Sequence, residues 1–138
     1  MVKSYKLKIK LSYVSFLKER AEKFLVIAQV SFDKGFYDMV LFNVEQYIQL
    51  YVKYFIYLKS GDYPKSHDLI KLFNYLKTIY EKKCVDDFIK ENIDLLSVLQ
   101  QAYISSCYMP IEYTRDQAEK VLRLVEEFKE MVQQCLTS

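Results

Sequence analysis

The sequence predicts an all-α protein, an up-and-down four-helix bundle with an additional helix, which makes five helices in all. Only two glycines and two prolines occur among its 138 residues, whereas an all-β chain of this length needs many more turn-forming residues. Hydrophobic residues make up 51% of the chain, which is enough for one sizeable core. Apolar residues also recur at steps of three or four, as they do along one face of a helix.

The first predicted helix runs from about Leu11 to Phe32 and stops at Gly35, because glycine readily takes the left-handed conformation that ends helices. Residues 1–10 precede it and hold four lysines and no acidic residue: Lys3, Lys6, Lys8 and Lys10. We interpret residues 1–10 as a basic N-terminal segment and residues 11–134 as the bundle. The basic segment is either a solvated chain end or an arm that contacts RNA or a nucleotide.

The second predicted helix, about Phe36 to Lys59, is apolar on more than one face. Besides its main apolar stripe, the helix has apolar residues that fall largely outside that stripe, such as Leu41, Ile48 and Val52. A helix of this kind must be covered on more than one side. It is therefore either the central helix of the bundle or a helix that faces a partner subunit. The main stripe consists of Val40, Val44, Tyr47, Tyr51, Tyr54 and Leu58.

Three more helices follow. Ser66 is a suitable N-cap for a third helix that extends to about Lys82. Its predicted core stripe consists of Leu69, Leu72, Phe73, Leu76 and Tyr80. A fourth helix runs from Asp86 to about Ser106. The fifth begins at Thr114, where the sequence Thr-Arg-Asp-Gln matches a capping box. Since the connections are short, we expect successive helices to pack antiparallel.

Several classes of site are not supported by the sequence. Cys84, Cys107 and Cys135 form no C-x-x-C pair, and we expect reduced thiols, as in a cytoplasmic protein. No apolar run approaches the roughly 20 residues that span a bilayer, so a soluble protein without membrane contact is predicted. There is no glycine-rich phosphate loop, and the single histidine, His67, excludes His-based zinc motifs. We predict no metal and no cofactor.

Two features leave alternatives open. His67 lies at the start of the third helix, where it either hydrogen-bonds locally or faces a groove in which helix amides bind phosphate. Tyrosine is common, with 13 residues, several of them in the second helix. Such tyrosines usually belong to a core or an interface, and the alternative is stacking on nucleotide bases.

Four stretches, taken in order, resemble the HEPN domain family, in the subgroup encoded beside minimal nucleotidyltransferases. The first is RAEKF at 20–24 with KGFYD at 34–38, and the second is NVEQYIQLYVK at 43–53. The third is GDYPKSHDL at 61–69, and the fourth joins AYI at 102–104 to CYMP at 107–110. The resemblance implies a helical bundle, usually dimeric, with a role in toxin–antitoxin or nucleotide-related systems.

The resemblance does not extend to the ribonuclease motif of the family, in which an arginine is followed four to six residues later by a histidine. Arginine occurs only at Arg20, Arg115 and Arg123, none of which has this spacing to His67. In addition, Cys107 stands where the subgroup often has arginine, so a permanently charged phosphate binder is missing. We therefore assign no catalytic residue.

The function that the sequence favours is a non-catalytic HEPN-type module that binds a nucleotide, RNA or a partner segment. We expect a homodimer formed through the second and fourth helices and a minimal nucleotidyltransferase as partner in a toxin–antitoxin-like system. One alternative is a ribonuclease toxin with a non-standard active site, such as His67 with Lys53. Another is a purely structural assembly protein. The predicted ligand groove consists of Gln46, Lys53, Tyr57, Ser66, His67 and Tyr108.

Overall fold

The structure, a computed structural model, describes the backbone of residues 2–137 and the side chains of residues 12–137. Every regular element in this part of the chain is helical, in agreement with the predicted all-α class. None of its helices is both long and apolar enough to cross a bilayer. The elements are α1 (Val2–Asp33), α2 (Tyr37–Ser60), α3 (Leu69–Tyr80), α4 (Lys83–Tyr108), α5 (Arg115–Met131) and a terminal π-helical turn (Val132–Leu136).

The first helix starts well before the predicted residue Leu11, because α1 begins at Val2. The basic segment 1–10 is thus largely helical, while its lysine side chains lie outside the described residues. α1 ends at Asp33, and Gly35 has a φ of 77°, as expected for a left-handed helix stop. The N–H of Phe36 donates to the carbonyl of Ser31 at 2.9 Å, which closes this turn.

The second helix is the centre of the bundle, which decides between the two interpretations of its apolar excess. α2 contacts α1, α3, α4 and α5, so its apolar faces are covered by helices of the same chain. Val40, Tyr47 and Ile56 are all buried. In the predicted stripe, Tyr51 and Tyr54 are half-buried, and Leu58, near the end of the helix, is exposed.

The third helix has the predicted core stripe but a different start. The residues that recur every three or four positions are all buried: Leu69, Leu72, Phe73, Leu76 and Tyr80. The N-cap is Asp68 rather than the predicted Ser66, since the Asp68 side chain accepts a hydrogen bond from the N–H of Lys71 at 3.1 Å. Ser66 instead lies two residues before the N-cap, and its hydroxyl oxygen accepts a hydrogen bond from the N–H of Asp68 at 3.1 Å.

The last two helices are joined by a covalent bond that the sequence did not indicate. Cys84, in the first turn of α4, and Cys135, in the terminal π-helical turn, form a disulfide with Cα atoms 6.3 Å apart. The expectation of reduced thiols is therefore wrong for these two residues, while Cys107 is free and exposed. α5 begins with the predicted capping box between Thr114 and Gln117.

The core is built around one phenylalanine of α5. Phe128 is only 1% exposed, and its ring lies 6.0–6.2 Å from aromatic rings of three other helices. Most of these contacts are edge-to-face, the arrangement that aromatic quadrupoles favour. This packing holds α3, α4 and α5 around α2. The rings are those of Tyr47 and Tyr51 in α2, Phe73 in α3 and Phe88 in α4.

Candidate functional site

A stripe of polar side chains runs along one side of α2, although the rest of that helix is apolar. Glu45, Gln49 and Lys53 are spaced four residues apart, so they lie one above the other on the same helical face. All three are buried, with exposed fractions of 0%, 2% and 6%. The Gln49 amide donates to Glu45 Oε1 at 2.6 Å, and Lys53 Nζ donates to Gln49 Oε1 at 3.1 Å. The stripe is therefore one continuous hydrogen-bonded chain.

The electrostatics of the stripe follow from its burial. Loss of solvent raises the pKa of Glu45 from 4.5 to about 7, against the opposing hydrogen bonds from Gln49 and Gln46 and the charge of Lys53. The Gln46 amide donates to Glu45 Oε2 at 2.8 Å, so both carboxylate oxygens have a partner. Burial likewise lowers the pKa of Lys53, and the charge of Glu45 opposes that shift. Both charged forms thus lose solvation that their partners only partly replace.

The stripe reaches the protein surface at His67, in the loop between α2 and α3. The Nδ1 atom of His67 lies 3.1 Å from Gln49 Oε1, across 18 residues of sequence. The imidazole stacks on the ring of Tyr103 from α4, with centroids 5.8 Å apart and planes inclined by 23°. Tyr103 in turn stacks on Phe42 of α2 at 5.9 Å. His67 is exposed, so this arrangement joins an open imidazole edge to a buried polar chain.

The loop that carries His67 is held by an aromatic cluster near the end of α2. Gly61 has a φ of 80° and ends the helix, after which Tyr63 folds back against Tyr57, with ring centroids 6.1 Å apart. Tyr13 of α1 stacks on Tyr63, and their hydroxyl groups form a hydrogen bond. Burial is the main cause that raises the pKa of Tyr63 to about 12. Lys53 Nζ lies 5.6 Å from the Tyr63 ring, a cation–π contact that links the cluster to the polar stripe.

The structure brings several of the predicted groove residues together, but not all of them. Lys53 and His67 share one acceptor, Gln49 Oε1, and Gln46 joins through Glu45. Tyr57 belongs to the aromatic cluster beside Lys53. Ser66 serves the loop itself, through its hydrogen bond with the Asp68 N–H. Tyr108 is 85% exposed at the end of α4, and none of the contacts in the described part of the chain joins it to His67.

Sequence reasoning missed the two residues at the centre of the site. Glu45 and Gln49 lie within the stretch that carries the family resemblance, yet only their neighbours Gln46 and Lys53 were selected. Their spacing of four, in a helix that is otherwise apolar, was the signal that identifies them. Tyr103 was also missed, because its ring meets His67 only through the packing of α4 beside α2.

The candidate site lies at the protein surface, where His67 packs beside Tyr103, and not in a deep cavity. A space of about 320 Å³ lies between α4 and α5, near Cys84 and Glu127, and another of about 460 Å³ lies between Gly35 and Tyr113. Neither is lined by His67 or by the polar stripe. We place the candidate site at His67 because the buried stripe with the shifted pKa of Glu45 bonds to it, and perturbed titratable groups cluster at functional sites.

The chain with this geometry also matches a known protein family. The model of the HEPN domain matches residues 14–135, which is nearly the whole chain. The chain belongs to the HEPN domain family. No curated protein and no solved structure matches it. The HEPN assignment agrees with the all-helical bundle, and its range includes the polar stripe, His67 and Tyr103.

Two of the three arginines of this HEPN domain, Arg20 and Arg115, have structural contacts away from His67. The Arg115 guanidinium donates to Glu119 at 3.0 Å and lies 5.3 Å from the centroid of the Phe32 ring. Arg20 lies 4.6 Å from the centroid of the Phe16 ring on its own helix. The cation nearest to His67 in the described hydrogen-bond network is instead Lys53, which shares the Gln49 oxygen with it.

Proposed function

We propose that this HEPN domain is a non-catalytic module that binds a nucleotide or a nucleotide segment of RNA at His67. One observation carries the proposal: Gln49, the middle member of the buried chain Glu45–Gln49–Lys53, also bonds to an exposed imidazole that stacks on an aromatic ring. HEPN domains often bind RNA and often dimerise. The proposal assigns that general property to named residues of this chain.

Energetics support a functional role for the polar stripe. Burying a carboxylate and an ammonium group costs several kcal/mol each after relaxation, and their mutual interaction recovers this only with good geometry. An apolar helix face of similar volume is often as stable or more stable. The stripe is therefore better explained by what it does for His67 than by a contribution to stability.

The chemistry of the surface suits a nucleotide. Tyr57 and Tyr63 are half-buried aromatic residues near Lys53, and nucleobases stack on such rings with about 1–3 kcal/mol per base. The Lys53 ammonium adds a positive charge beside the rings. Imidazole nitrogen supplies a hydrogen-bonding atom at the exposed edge.

Binding without cleavage is favoured by the absence of a guanidinium group at the site. Phosphoryl chemistry on RNA needs a fixed positive charge where negative charge develops in the transition state. Lys53 is committed to the Gln49 oxygen and its pKa is lowered by burial, so it is a poor substitute. A permanently charged arginine has no such weakness.

We further propose that the functional unit is a homodimer and that its partner is a minimal nucleotidyltransferase in a toxin–antitoxin-like system. α2 is covered by its own chain, so the second helix contributes little to dimerisation beyond its ends. α4 is better suited, because residues 95–111 contain no charged side chain while Ile104, Tyr108 and Met109 are exposed. An uncharged apolar face can meet a copy of itself without repulsion.

The test is a titration of the full chain with AMP and with a short RNA, followed by thermal unfolding. A ligand that binds only the folded protein at about 100 times its Kd raises the unfolding free energy by about 2.7 kcal/mol. We expect such a rise for the wild type and its loss in His67→Phe, which keeps a stacking ring but removes both nitrogens. No rise at millimolar AMP or RNA contradicts the proposal.

Two controls complete this experiment. Lys53→Met is expected to weaken binding, whereas Lys71→Met, at an exposed lysine of α3, leaves it unchanged. RNA integrity is followed in the same samples. If the wild type cleaves RNA and His67→Phe does not, the protein is a ribonuclease rather than a binding module.

A further inference from the structure

His67 meets an atom that can only accept a hydrogen bond. Its Nδ1 atom lies 3.1 Å from Gln49 Oε1, an amide oxygen. Since the oxygen has no proton, the hydrogen must be on Nδ1. In a neutral imidazole, only one of the two nitrogens carries a hydrogen, so Nε2 then has a free lone pair.

The orientation of the Gln49 amide is fixed by charges on both sides. Its nitrogen faces Glu45 Oε1 at 2.6 Å, and its oxygen faces Lys53 Nζ at 3.1 Å. A flipped amide would point N–H groups at an ammonium group, which can only donate. The direction of Gln49 is therefore set by the chemistry of its neighbours. Its oxygen uses its two lone pairs on Lys53 and His67.

The ring of His67 is also held in place from its face. Tyr103 stacks on it at 5.8 Å, and Phe42 stacks on Tyr103. None of the hydrogen bonds in the described part of the chain involves Nε2, and His67 is exposed. The free nitrogen is thus available at the surface beside an aromatic ring.

We propose that Glu45, Gln49 and Lys53 are positioning residues that hold neutral His67 as the Nδ1–H tautomer, so that Nε2 accepts a hydrogen bond from the ligand. The ligand group at this point is a neutral donor, either an amino group of a nucleobase or a ribose hydroxyl. A phosphate oxygen is excluded at neutral Nε2, because both atoms would be acceptors. The ligand class rests on the proposed function, whereas the tautomer does not.

The tautomer is measured in the ligand-free protein by ¹⁵N NMR. His67 is the only histidine in the sequence, so its ring signals need no assignment. At about pH 8.5, where an ordinary imidazole is neutral, we expect a protonated-type shift for Nδ1 and a lone-pair-type shift for Nε2. The opposite pattern in the wild type overturns the proposal, whatever the outcome of the nucleotide titration.

A matched pair of variants tests whether Gln49 sets the tautomer of His67. Gln49→Met keeps the length of the side chain and removes the acceptor, so the Nδ1–H preference is expected to disappear. Gln46→Met removes a hydrogen bond to the same Glu45 carboxylate but does not touch His67, and the tautomer is expected to persist. If the two variants change the His67 tautomer equally, Gln49 does not set it, and the proposal is contradicted. If Gln49→Met does not fold, the wild-type spectrum still decides the tautomer.

To identify the ligand group that donates to Nε2, the binding of three nucleotides is compared at about pH 8.5. AMP is compared with purine riboside monophosphate, which lacks the amino group, and with 2′-deoxy-AMP, which lacks one ribose hydroxyl. Loss of the donor that Nε2 uses is expected to weaken binding roughly tenfold, and this difference should vanish in His67→Phe. Equal binding of all three nucleotides, or inorganic phosphate binding as tightly as AMP, overturns the ligand class.

Discussion

The two sides of α2 are both buried, yet they are built from opposite chemistry. One side carries Tyr47 and Tyr51, which pack edge-to-face against Phe128 of α5. The other side carries Glu45 and Gln49, which form a hydrogen-bonded chain towards His67. The first side is closed by helices, whereas the second ends at an exposed residue of a loop.

The aromatic side of α2 stabilises the fold, whereas the polar side belongs to the candidate site. Burial of aromatic surface is favourable at roughly 25 cal/mol per Å², so the aromatic side stabilises the bundle directly. Buried charges and amides lose solvation, and each hydrogen bond returns only about 1 kcal/mol net. The polar side therefore adds little to stability, and the role that we propose for it is to orient His67.

The largest expected effect comes from breaking the aromatic side. Phe128→Ala removes a ring that touches three other helices and leaves a cavity in the core. We expect a loss of about 3–5 kcal/mol in the free energy of unfolding, measured by urea denaturation. The His67 tautomer of the folded fraction is expected to stay unchanged, because the Phe128 ring packs against Tyr47 and Tyr51, on the other side of α2 from Glu45 and Gln49.

The control for this prediction is Tyr108→Ala, which also removes an aromatic ring, but from an 85% exposed position. Its effect on the unfolding free energy is expected to stay within about 0.5 kcal/mol. A loss for Tyr108→Ala close to that for Phe128→Ala would mean that the burial seen in the structure does not govern stability.

A smaller effect is expected from the polar side, and it depends on pH. The folded protein retains the proton of Glu45 up to a pKa of about 7, while the unfolded chain loses it near 4.5. Stability contributed by this group is therefore full below pH 4.5 and falls as pH rises towards 7 and above. The shift corresponds to about 3 kcal/mol. Glu45→Gln should remove this decline when unfolding is compared at acidic and alkaline pH.

The comparison variant is again Gln46→Met, which keeps the Glu45 carboxyl group but removes a hydrogen bond that lowers its pKa, so the decline should persist and be at least as large. The relevant quantity is the difference in unfolding free energy between the wild type and the variant at each pH, since other titrating groups contribute equally to both. A pH-independent difference between the wild type and Glu45→Gln would show that Glu45 ionises in the folded state as it does in the unfolded chain.

The smallest effect on the fold is expected at the uncharged outer face of α4. Ile104 is exposed, so Ile104→Asp should leave the helical circular dichroism spectrum of the chain unchanged. If this face joins two copies, the charge opposes association, and sedimentation should change from dimer to monomer. A wild-type monomer at high concentration, or an Ile104→Asp dimer, argues against dimerisation through α4.

Much of the fold followed from local patterns. The five core residues of α3 recur at helical spacing, and all five are buried as predicted, because a single periodic face determines burial once the helix packs. The Thr114 capping box and the Gly35 helix stop are also local, since each depends on residues within one turn. The boundary at Ser66 was wrong because two neighbouring side chains competed for the capping role, and Asp68 takes it.

The site was only half predictable. Lys53 and His67 could be selected as polar residues in suggestive positions, but nothing local indicates that they share the Gln49 oxygen. The disulfide between Cys84 and Cys135 spans 51 residues and has the same origin in long-range packing. Contacts between distant residues depend on helix rotation and helix register, and periodicity does not specify either one.

By itself, the sequence determined the helices, their apolar faces and the membership of the HEPN family, because these depend on spacing along the chain. The tertiary structure alone decided that α2 is central and that its buried polar chain ends at His67. The physical reason is the loss of solvent: Glu45 becomes unusual only when four helices surround α2 and no water remains to stabilise its charge.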